Sequence, residues 1–369
     1  MKDSITIVGM DVHKNSISIA LAETSGSKDL RHYCRIPGTI TALDAFVRSM
    51  VSRGIKPRFV YEAGPCGYVI YRHLTRMGYS CKVIAPSLTP KRAGDRIKND
   101  KRDAMTLARS ERAGDLTEVI VPSEEDEAMR DLTRSRQDAV KAQTTARQQL
   151  KSFLLRHGKR CPSSDNWGTT HMRWLKGVSM EQSVLQIVLE DYMNTVIACT
   201  DRVKELEAAI ERMLPGWKMA PVVRSLQAMR GIAAVTAATI AAETGDMRRF
   251  AAPEPYMAFI GIIPSEHSTG DTIRRGKITK TGNSHLRFAF VEAAKQYAHR
   301  KAVTRTLKKR QEGLPKDVID IAWKAQTRLC RRFLALAARG KHKNKIAVAV
   351  ARELAGFAWA LMRQVPLAA

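Results

Sequence analysis

The chain has 369 residues, enough for two or more domains, and 44% of them are hydrophobic, enough to form real cores. Its 62 Lys and Arg against 36 Asp and Glu give a net charge of +26, which predicts a polyanionic partner: nucleic acid first, an anionic membrane surface second. Because there is no apolar run of about 20 residues, no signal-peptide pattern and no Cys-x-x-Cys pair, we expect a cytoplasmic protein without a membrane span or a zinc site.

The N-terminal region alternates strand and helix signals. Five β-rich runs predict strands at 5–10, 16–22, 32–36, 58–61 and 80–84. An amphipathic stretch at 40–51 predicts a helix between the third strand and the fourth. Three leading strands followed by alternating helices and strands indicate an α/β domain with a mixed sheet and helices packed on it.

Four carboxylates stand at the ends of these elements. Asp11 follows the first predicted strand, Glu62 follows the fourth, and Asp100 and Asp103 lie three residues apart at the start of a helix, on one helical face. Such a cluster repels itself unless hard divalent cations neutralise it, so we expect Mg²⁺, with Mn²⁺ as an alternative, bound by all four residues. Taken singly, each is equally explained as a turn, cap or solvated helix residue. In this order, they are similar to the RNase H-like arrangement of RuvC-type nucleases.

The middle region is helical. Helix formers run without interruption over 124–156, a break follows at 161–166, and a second helical pattern with an apolar stripe covers 180–213, ending at Pro215 and Gly216. The near-heptad spacing of the apolar stripe favours a helical hairpin or coiled coil. A helical bundle packed on its own domain explains the pattern equally well.

The C-terminal region is predicted to be helical from about Pro221, with one irregular stretch at 261–283. Residues 226–237 resemble a helix-hairpin-helix in which Gly231 forms the turn and the second helix presents backbone N–H groups to a DNA phosphate. An ordinary helix end with a packed glycine is the alternative.

Hydroxyl groups and cations are concentrated in the irregular stretch. A hydroxyl nucleophile followed by cations suits chemistry on a phosphodiester, although a basic DNA-contact loop has the same composition. The predicted nucleic-acid contacts of this region and the preceding turn are Arg230, Gly231, Arg274, Arg275, Lys277, Lys280, Asn283 and Arg287.

Taken together and in order, the motifs resemble the DEDD-type transposases of insertion sequences. They are Gly-Met-Asp11-Val-His-Lys, Tyr-Glu62-Ala-Gly, Asn-Asp100-Lys-Arg-Asp103-Ala and the block from Gly261 to Asn283. The family includes the Piv-type pilin-gene invertases and the bridge-RNA-guided recombinases, and the resemblance covers nearly the whole chain.

The resemblance implies three domains: a RuvC-like DEDD catalytic domain at 1–158, a helical coiled-coil insertion at 159–218, and a mainly α-helical transposase domain with a catalytic serine at 219–369. It implies cutting and rejoining of DNA through a covalent phosphoserine intermediate. Donor and target double-stranded DNA, a structured bridge RNA and a homo-oligomer, a dimer that becomes a tetramer in the synapse, are the implied partners. Sequence specificity would come from the RNA.

One departure from the family pattern affects the nucleophile. Family members commonly carry serine immediately before the glycine of this block, where this chain has Thr269 preceded by Ser268. We predict Ser268 as the nucleophile because its primary hydroxyl is less hindered, with Thr269 second and Ser265 third. A RuvC-like structure-specific nuclease that uses activated water, or a non-catalytic nucleic-acid-binding protein, are the alternative functions.

Overall fold

The computed structural model of the chain describes residues 5–24, 30–90, 99–163, 166–270 and 272–368. The chain divides into two compact units, Met1–Val121 and Pro122–Ala369. The boundaries implied by the resemblance, 158 and 218, stay predictions. Within the described ranges, no helix is both long and apolar enough to cross a membrane.

The first unit is an α/β domain built on a five-stranded mixed sheet, as the sequence predicts. The strands are β1 Ile5–Val12, β2 Ser16–Glu23, β3 Leu30–Pro37, β4 Lys56–Glu62 and β5 Ser80–Ile84. Their order in the sheet is β3-β2-β1-β4-β5. β2 pairs antiparallel with β1 on one side and with β3 on the other. β4 pairs parallel with both β1 and β5. The central strands β1 and β2 are buried on both faces because helices cover the sheet on each side.

Among the residues of this unit that the structure describes, three helices cover the sheet: α1 Ile40–Val51, α2 Val69–Arg76 and α3 Asp100–Ala113. The apolar faces of α1 and α2 pack with Val8, Met10 and Tyr61 on one face. The helix α3 packs its Ala104, Leu107 and Ala108 on the other face, against Ile7 and Val60. We call this second side the α3 face.

Gly9 allows α3 to approach β1 closely. A Cβ atom at Gly9 would lie 2.4 Å from the Ala104 carbonyl oxygen and 2.7 Å from the Ala108 nitrogen. Both atoms belong to the helix backbone, so no side-chain rotation relieves the clash. A glycine on β1 therefore fixes the position of the helix that carries Asp100 and Asp103.

We expect Gly9→Ala to lower the free energy of unfolding of the first unit by about 1–3 kcal/mol, the usual cost of overpacking a dense core. Denaturant unfolding measures the effect. Gly64→Ala is the control for stability, since its added Cβ approaches only one atom, at 3.9 Å. Equal stability of the two variants would contradict the prediction.

The second unit is mainly helical, with one short hairpin. Its helices are α4 Glu124–Arg156, α5 Thr169–Lys176, α6 Ser183–Met213, α7 Ala220–Leu226, α8 Ala234–Thr244, α9 Pro253–Ile260, α10 Ser284–Lys295, α11 Arg305–Gln311, α12 Lys316–Ala338 and α13 Lys343–Gln364. The hairpin strands are β6 Pro264–Glu266 and β7 Arg275–Ile278. The sequence predicted this stretch as irregular; the strands are too short for a period-two pattern to show.

The helices α4 and α6 form a long antiparallel helical hairpin, as one of the two sequence interpretations predicted. Their contacts run in opposite directions along the chain, from Arg136 with Glu207 to Gln143 with Thr200. Near the far end, Phe153 packs on Tyr192 with ring centroids 5.5 Å apart. The helices α7–α10, α12 and α13 surround a separate apolar core that also includes Met129 of α4. Leu175 of α5 packs instead on the apolar residues of the α4–α6 hairpin.

Candidate active site

Asp11 and Glu62 lie at the same edge of the five-stranded sheet. Met10 is paired with Tyr61 on the neighbouring parallel strand, so the next residue on each strand is one of the two carboxylates. Since Met10 and Tyr61 are buried on the α1 and α2 side and side chains alternate along a strand, both carboxylates point toward the α3 face. The Thr89 hydroxyl donates a hydrogen bond to Glu62 Oε1 at 2.9 Å.

Asp100 and Asp103 occupy the first turn of α3, on that same face. The helix begins there because the Asn99 side chain accepts a backbone N–H of the first turn at 2.9 Å. Burial raises the pKa of Asp11; His13 opposes this, and the negative charges of Asp103 and Asp100 raise the pKa further. The structure therefore brings the three aspartates into one electrostatically coupled cluster beside Glu62.

His13 joins the cluster, a role that the sequence analysis did not assign. Its Nε2 atom lies 3.1 Å from Asp11 Oδ2 and 3.7 Å from Asp100 Oδ1. On the other side, the Arg35 guanidinium lies 3.6 Å from Asp100 Oδ2. The available signal was a histidine two residues after a strand-end aspartate, which alternation places on the same side as Asp11.

The donor set fits a divalent cation. Ligand atoms of Asp11, His13 and Asp100 all lie within 4.8 Å of one another, so the group could hold a metal ion. Carboxylate oxygens are the ligands of Mg²⁺ and Mn²⁺. The Asp100 side chain is 43% exposed, which leaves the cluster accessible from solvent.

Ser268 lies in the loop between β6 and β7, a segment that we call the serine hairpin (residues 264–270 and 272–278). Its Oγ atom donates a hydrogen bond to Glu266 Oε1 at 2.8 Å and accepts one from the Arg274 backbone N–H at 3.3 Å. The hydrogen bond from Ser268 and the Arg275 side chain hold the pKa of Glu266 below its usual range. The structure thus fixes the Ser268 hydroxyl in one orientation beside an ionised carboxylate.

The two other candidate nucleophiles have different surroundings. Thr269 is linked to Thr272 by two backbone hydrogen bonds of 3.2 and 3.1 Å that close the tip of the loop. Ser265 lies in β6, half-buried, where its hydroxyl packs over the space that a side chain at Gly276 would fill.

Four of the eight predicted nucleic-acid contacts are exposed cations on the serine hairpin or directly after it: Arg274, Arg275, Lys277 and Lys280. The other four have contacts within the second unit. Arg230 and Arg287 donate to main-chain carbonyls at 2.8 Å each. Gly231 forms the predicted turn between α7 and α8 with φ of 81°.

Asn283, the last of these four, belongs to a buried network that the sequence analysis missed. Its side chain caps α10 and donates to Glu243 Oε2 at 2.7 Å. The Glu243 side chain is fully buried and also accepts hydrogen bonds of 2.6 and 2.9 Å from Arg134, with Arg130 at 3.9 Å. We call these four residues the Glu243 network. It fixes the chain just after the serine hairpin to α4 and α8.

Comparisons with known proteins show to which family the chain is similar. Residues 8–158 match the family of DEDD transposases described as "Transposase", and residues 223–309 match the family "Transposase IS116/IS110/IS902 family". The chain is 41% identical to a Sinorhizobium fredii protein named as a transposase (y4qE), with 97% of this chain and 88% of the relative covered. It is 31% identical to the transposase for insertion sequence element IS1533 of Leptospira borgpetersenii, with 90% and 97% covered.

The matches and the carboxylate cluster together define the class of protein: the chain is a DNA transposase. It belongs to the IS116/IS110/IS902 family of insertion-sequence transposases, whose DEDD-type domain model it matches in its N-terminal part. The resemblance drawn from the sequence motifs is therefore confirmed.

Proposed function

We propose that the first unit is an RNase H-like, RuvC-like catalytic domain and that Asp11, Glu62, Asp100 and Asp103 bind Mg²⁺ for cutting and rejoining DNA. The observation that carries this proposal is the placement of the four carboxylates on the α3 face at one edge of the sheet. Two project from the ends of parallel strands toward the α3 face, and two lie in the first turn of the helix that covers this face. The strand order β3-β2-β1-β4-β5, with β4 parallel to β1 and β2 antiparallel to it, supports the proposed RNase H-like domain.

Within this site the side chains of the chain itself set the geometry. When bound, Mg²⁺ would neutralise the carboxylates and supply positive charge to the phosphodiester. Thr89 holds Glu62, and His13 and Arg35 hold Asp100 from two sides. The close packing of α3 at Gly9 keeps the two helical aspartates at the sheet edge.

Ser268 is the nucleophile in the proposed mechanism and forms a phosphoserine linkage with the DNA. Its hydroxyl is oriented by a carboxylate and a backbone N–H, whereas Thr269 closes the loop tip through its backbone. The exposed cations of the serine hairpin supply contacts for the phosphates on either side of the cut.

The proposed partners are donor and target double-stranded DNA and a structured bridge RNA, acting with a homo-oligomer that becomes a tetramer in the synapse. The net charge of +26 supports polyanionic partners. Lys and Arg contacts to backbone phosphates carry no sequence information, so the proposal assigns sequence specificity to base pairing by the RNA.

A covalent-adduct assay tests the proposed mechanism. We expect labelled donor DNA, Mg²⁺ and RNA transcribed from the flank of the element to give a protein–DNA adduct on a denaturing gel. The adduct should be absent in Ser268→Ala and in Asp11→Asn and present in Thr269→Ala. If the adduct were lost in Thr269→Ala alone, Thr269 and not Ser268 would be the nucleophile. Nicked DNA without adduct in every variant would favour the RuvC-like nuclease that uses water.

The role of the hairpin cations predicts a salt effect. When a protein contacts phosphates of duplex DNA, the logarithm of its binding constant falls linearly with the logarithm of the salt concentration. The slope is about −0.9 for each phosphate contact. We expect Lys277→Gln to reduce that slope by about 1 and to weaken binding equally across sequences. Lys204→Gln on α6, whose cation is paired with Asp201 at 2.9 Å, is the control. An unchanged slope in Lys277→Gln would remove this residue from the interface.

A further inference from the structure

A second group that could take part in the reaction lies beside Ser268, the carboxylate of Glu266. The two residues are joined by a hydrogen bond of 2.8 Å in which the hydroxyl is the donor. A hydroxyl nucleophile whose proton already points at a carboxylate is the arrangement that general base catalysis requires. Of the described residues, Ser268 is the candidate nucleophile for which the structure records such a contact.

The remaining contacts of the Ser268 hydroxyl leave it free to react. A serine hydroxyl has one hydrogen and two lone pairs. The hydrogen is directed to Glu266, and one lone pair accepts the Arg274 backbone N–H at 3.3 Å. The second lone pair stays available on an exposed side chain. The two hydrogen bonds therefore orient the Ser268 hydroxyl and leave one lone pair of Oγ available for attack.

Glu266 is held in place across the hairpin. It is paired with Arg275 in the β6–β7 register, and Arg275 Nε lies 3.4 Å from its second oxygen, Oε2. One carboxylate oxygen therefore contacts the cation and the other contacts the serine. Because Arg275 stabilises the ionised form, the carboxylate remains able to accept a proton at neutral pH.

We propose that Glu266 is the general base for Ser268. This inference rests on the proposed phosphoserine mechanism. As the Ser268 Oγ–P bond forms, the hydroxyl proton moves to Glu266 Oε1 and the bond from phosphorus to the displaced DNA oxygen breaks. That oxygen leaves as a strand-end hydroxyl that takes a proton from solvent, while Glu266 keeps the proton of Ser268. During rejoining the DNA hydroxyl attacks the phosphoserine and loses its proton to solvent, the bond from phosphorus to Oγ breaks, and Glu266 returns its proton to the departing Oγ.

Single-turnover adduct formation tests this role with Glu266→Gln, Glu266→Asp and Glu292→Gln. General base catalysis is worth about 10²–10⁴-fold in rate, so we expect Glu266→Gln to form the adduct at least ~100-fold more slowly while binding donor DNA as the wild type does. Glu266→Asp should recover part of the rate because it keeps a carboxylate. Glu292→Gln removes another exposed carboxylate with a cationic partner, Lys295 at 2.5 Å, and should match the wild type.

Three results would overturn the proposal, and they are distinguishable. A wild-type rate in Glu266→Gln, with the adduct still lost in Ser268→Ala, removes Glu266 while leaving the phosphoserine mechanism intact. Slow adduct formation that is fully explained by weaker DNA binding makes Glu266 a contact residue. Absence of an adduct in the wild type refutes the phosphoserine mechanism, and the proposed base with it.

Discussion

Asp11→Asn and Asp103→Asn are expected to reduce DNA cleavage by about 10³-fold or more at saturating Mg²⁺. Charge stabilisation at a metal site contributes several kcal/mol to a transition state, and each 1.36 kcal/mol corresponds to a factor of ten. Asparagine preserves the shape of the side chain but removes the negative charge that the cation requires. The cleavage rate of labelled donor DNA under single-turnover conditions measures the effect.

Asp11→Asn should not destabilise the fold. Burial and the neighbouring aspartates raise the pKa of Asp11, so the folded state disfavours its ionised form. A raised carboxyl pKa makes the charge a cost to stability above the unfolded pKa, and this cost disappears in Asp11→Asn. We therefore expect the Tm without metal to be unchanged or higher, and the gain in Tm on adding Mn²⁺ to be reduced, because fewer ligands bind the ion.

Asp115→Asn is the matched control, because Asp115 is exposed and follows α3 at its C-terminal end. It should retain both cleavage and the Mn²⁺-dependent gain in Tm. Cleavage within tenfold of the wild type in both Asp11→Asn and Asp103→Asn would contradict a catalytic role for the cluster. A loss of cleavage accompanied by a lower metal-free Tm would instead indicate a structural role.

The carboxylate cluster could be predicted from the sequence because local rules determine most of it. Asp11 and Glu62 follow short β-rich runs, so the sequence predicts that they lie at strand ends. The spacing of Asp100 and Asp103 places both on one face of a helix. The similarity to RuvC-type nucleases indicated that Asp11 and Glu62 belong to one site, but the order of the strands, which places them side by side, was not predicted. Periodicity alone does not determine which strands become neighbours.

The interactions that the sequence did not reveal join residues that are distant along the chain. Thr89 reaches Glu62 across 27 positions, and Arg134 reaches Glu243 across 109. No periodic pattern marks such a pair, since nothing in the sequence around Thr89 or Arg134 identifies the residue that it contacts. The bond between Ser268 and Glu266 is local, but it depends on a hairpin whose strands are too short to be recognised. A sequence interpretation therefore finds the groups at element ends and misses the groups that hold them.

The Glu243 network is the other place where one substitution should have a large effect. Burial raises the pKa of Glu243, but the hydrogen bonds from Arg134 and Asn283, together with the charges of Arg134 and Arg130, more than offset it and bring the pKa below its usual range. The buried carboxylate of Glu243 is thus ionised, and both of its oxygens accept hydrogen bonds. Removing one partner of a buried ion pair leaves the others uncompensated, which costs about 3–5 kcal/mol.

We therefore expect Glu243→Ala to lower the free energy of unfolding of the second unit by about 3–5 kcal/mol near pH 7. Asp201→Ala, which removes an exposed pair with Lys204, should cost at most about 1 kcal/mol.

Because the folded pKa of Glu243 is lowered, its ionisation stabilises the fold above the unfolded pKa of about 4.3. This contribution is lost as the pH falls through the folded pKa. The difference between wild type and Glu243→Ala, measured by urea unfolding, should therefore shrink in acid below about pH 4. A difference that stays constant down to pH 3 would show that Glu243 stabilises the unit by packing alone, and the loop that carries Ser268 would then have no electrostatic anchor at Asn283.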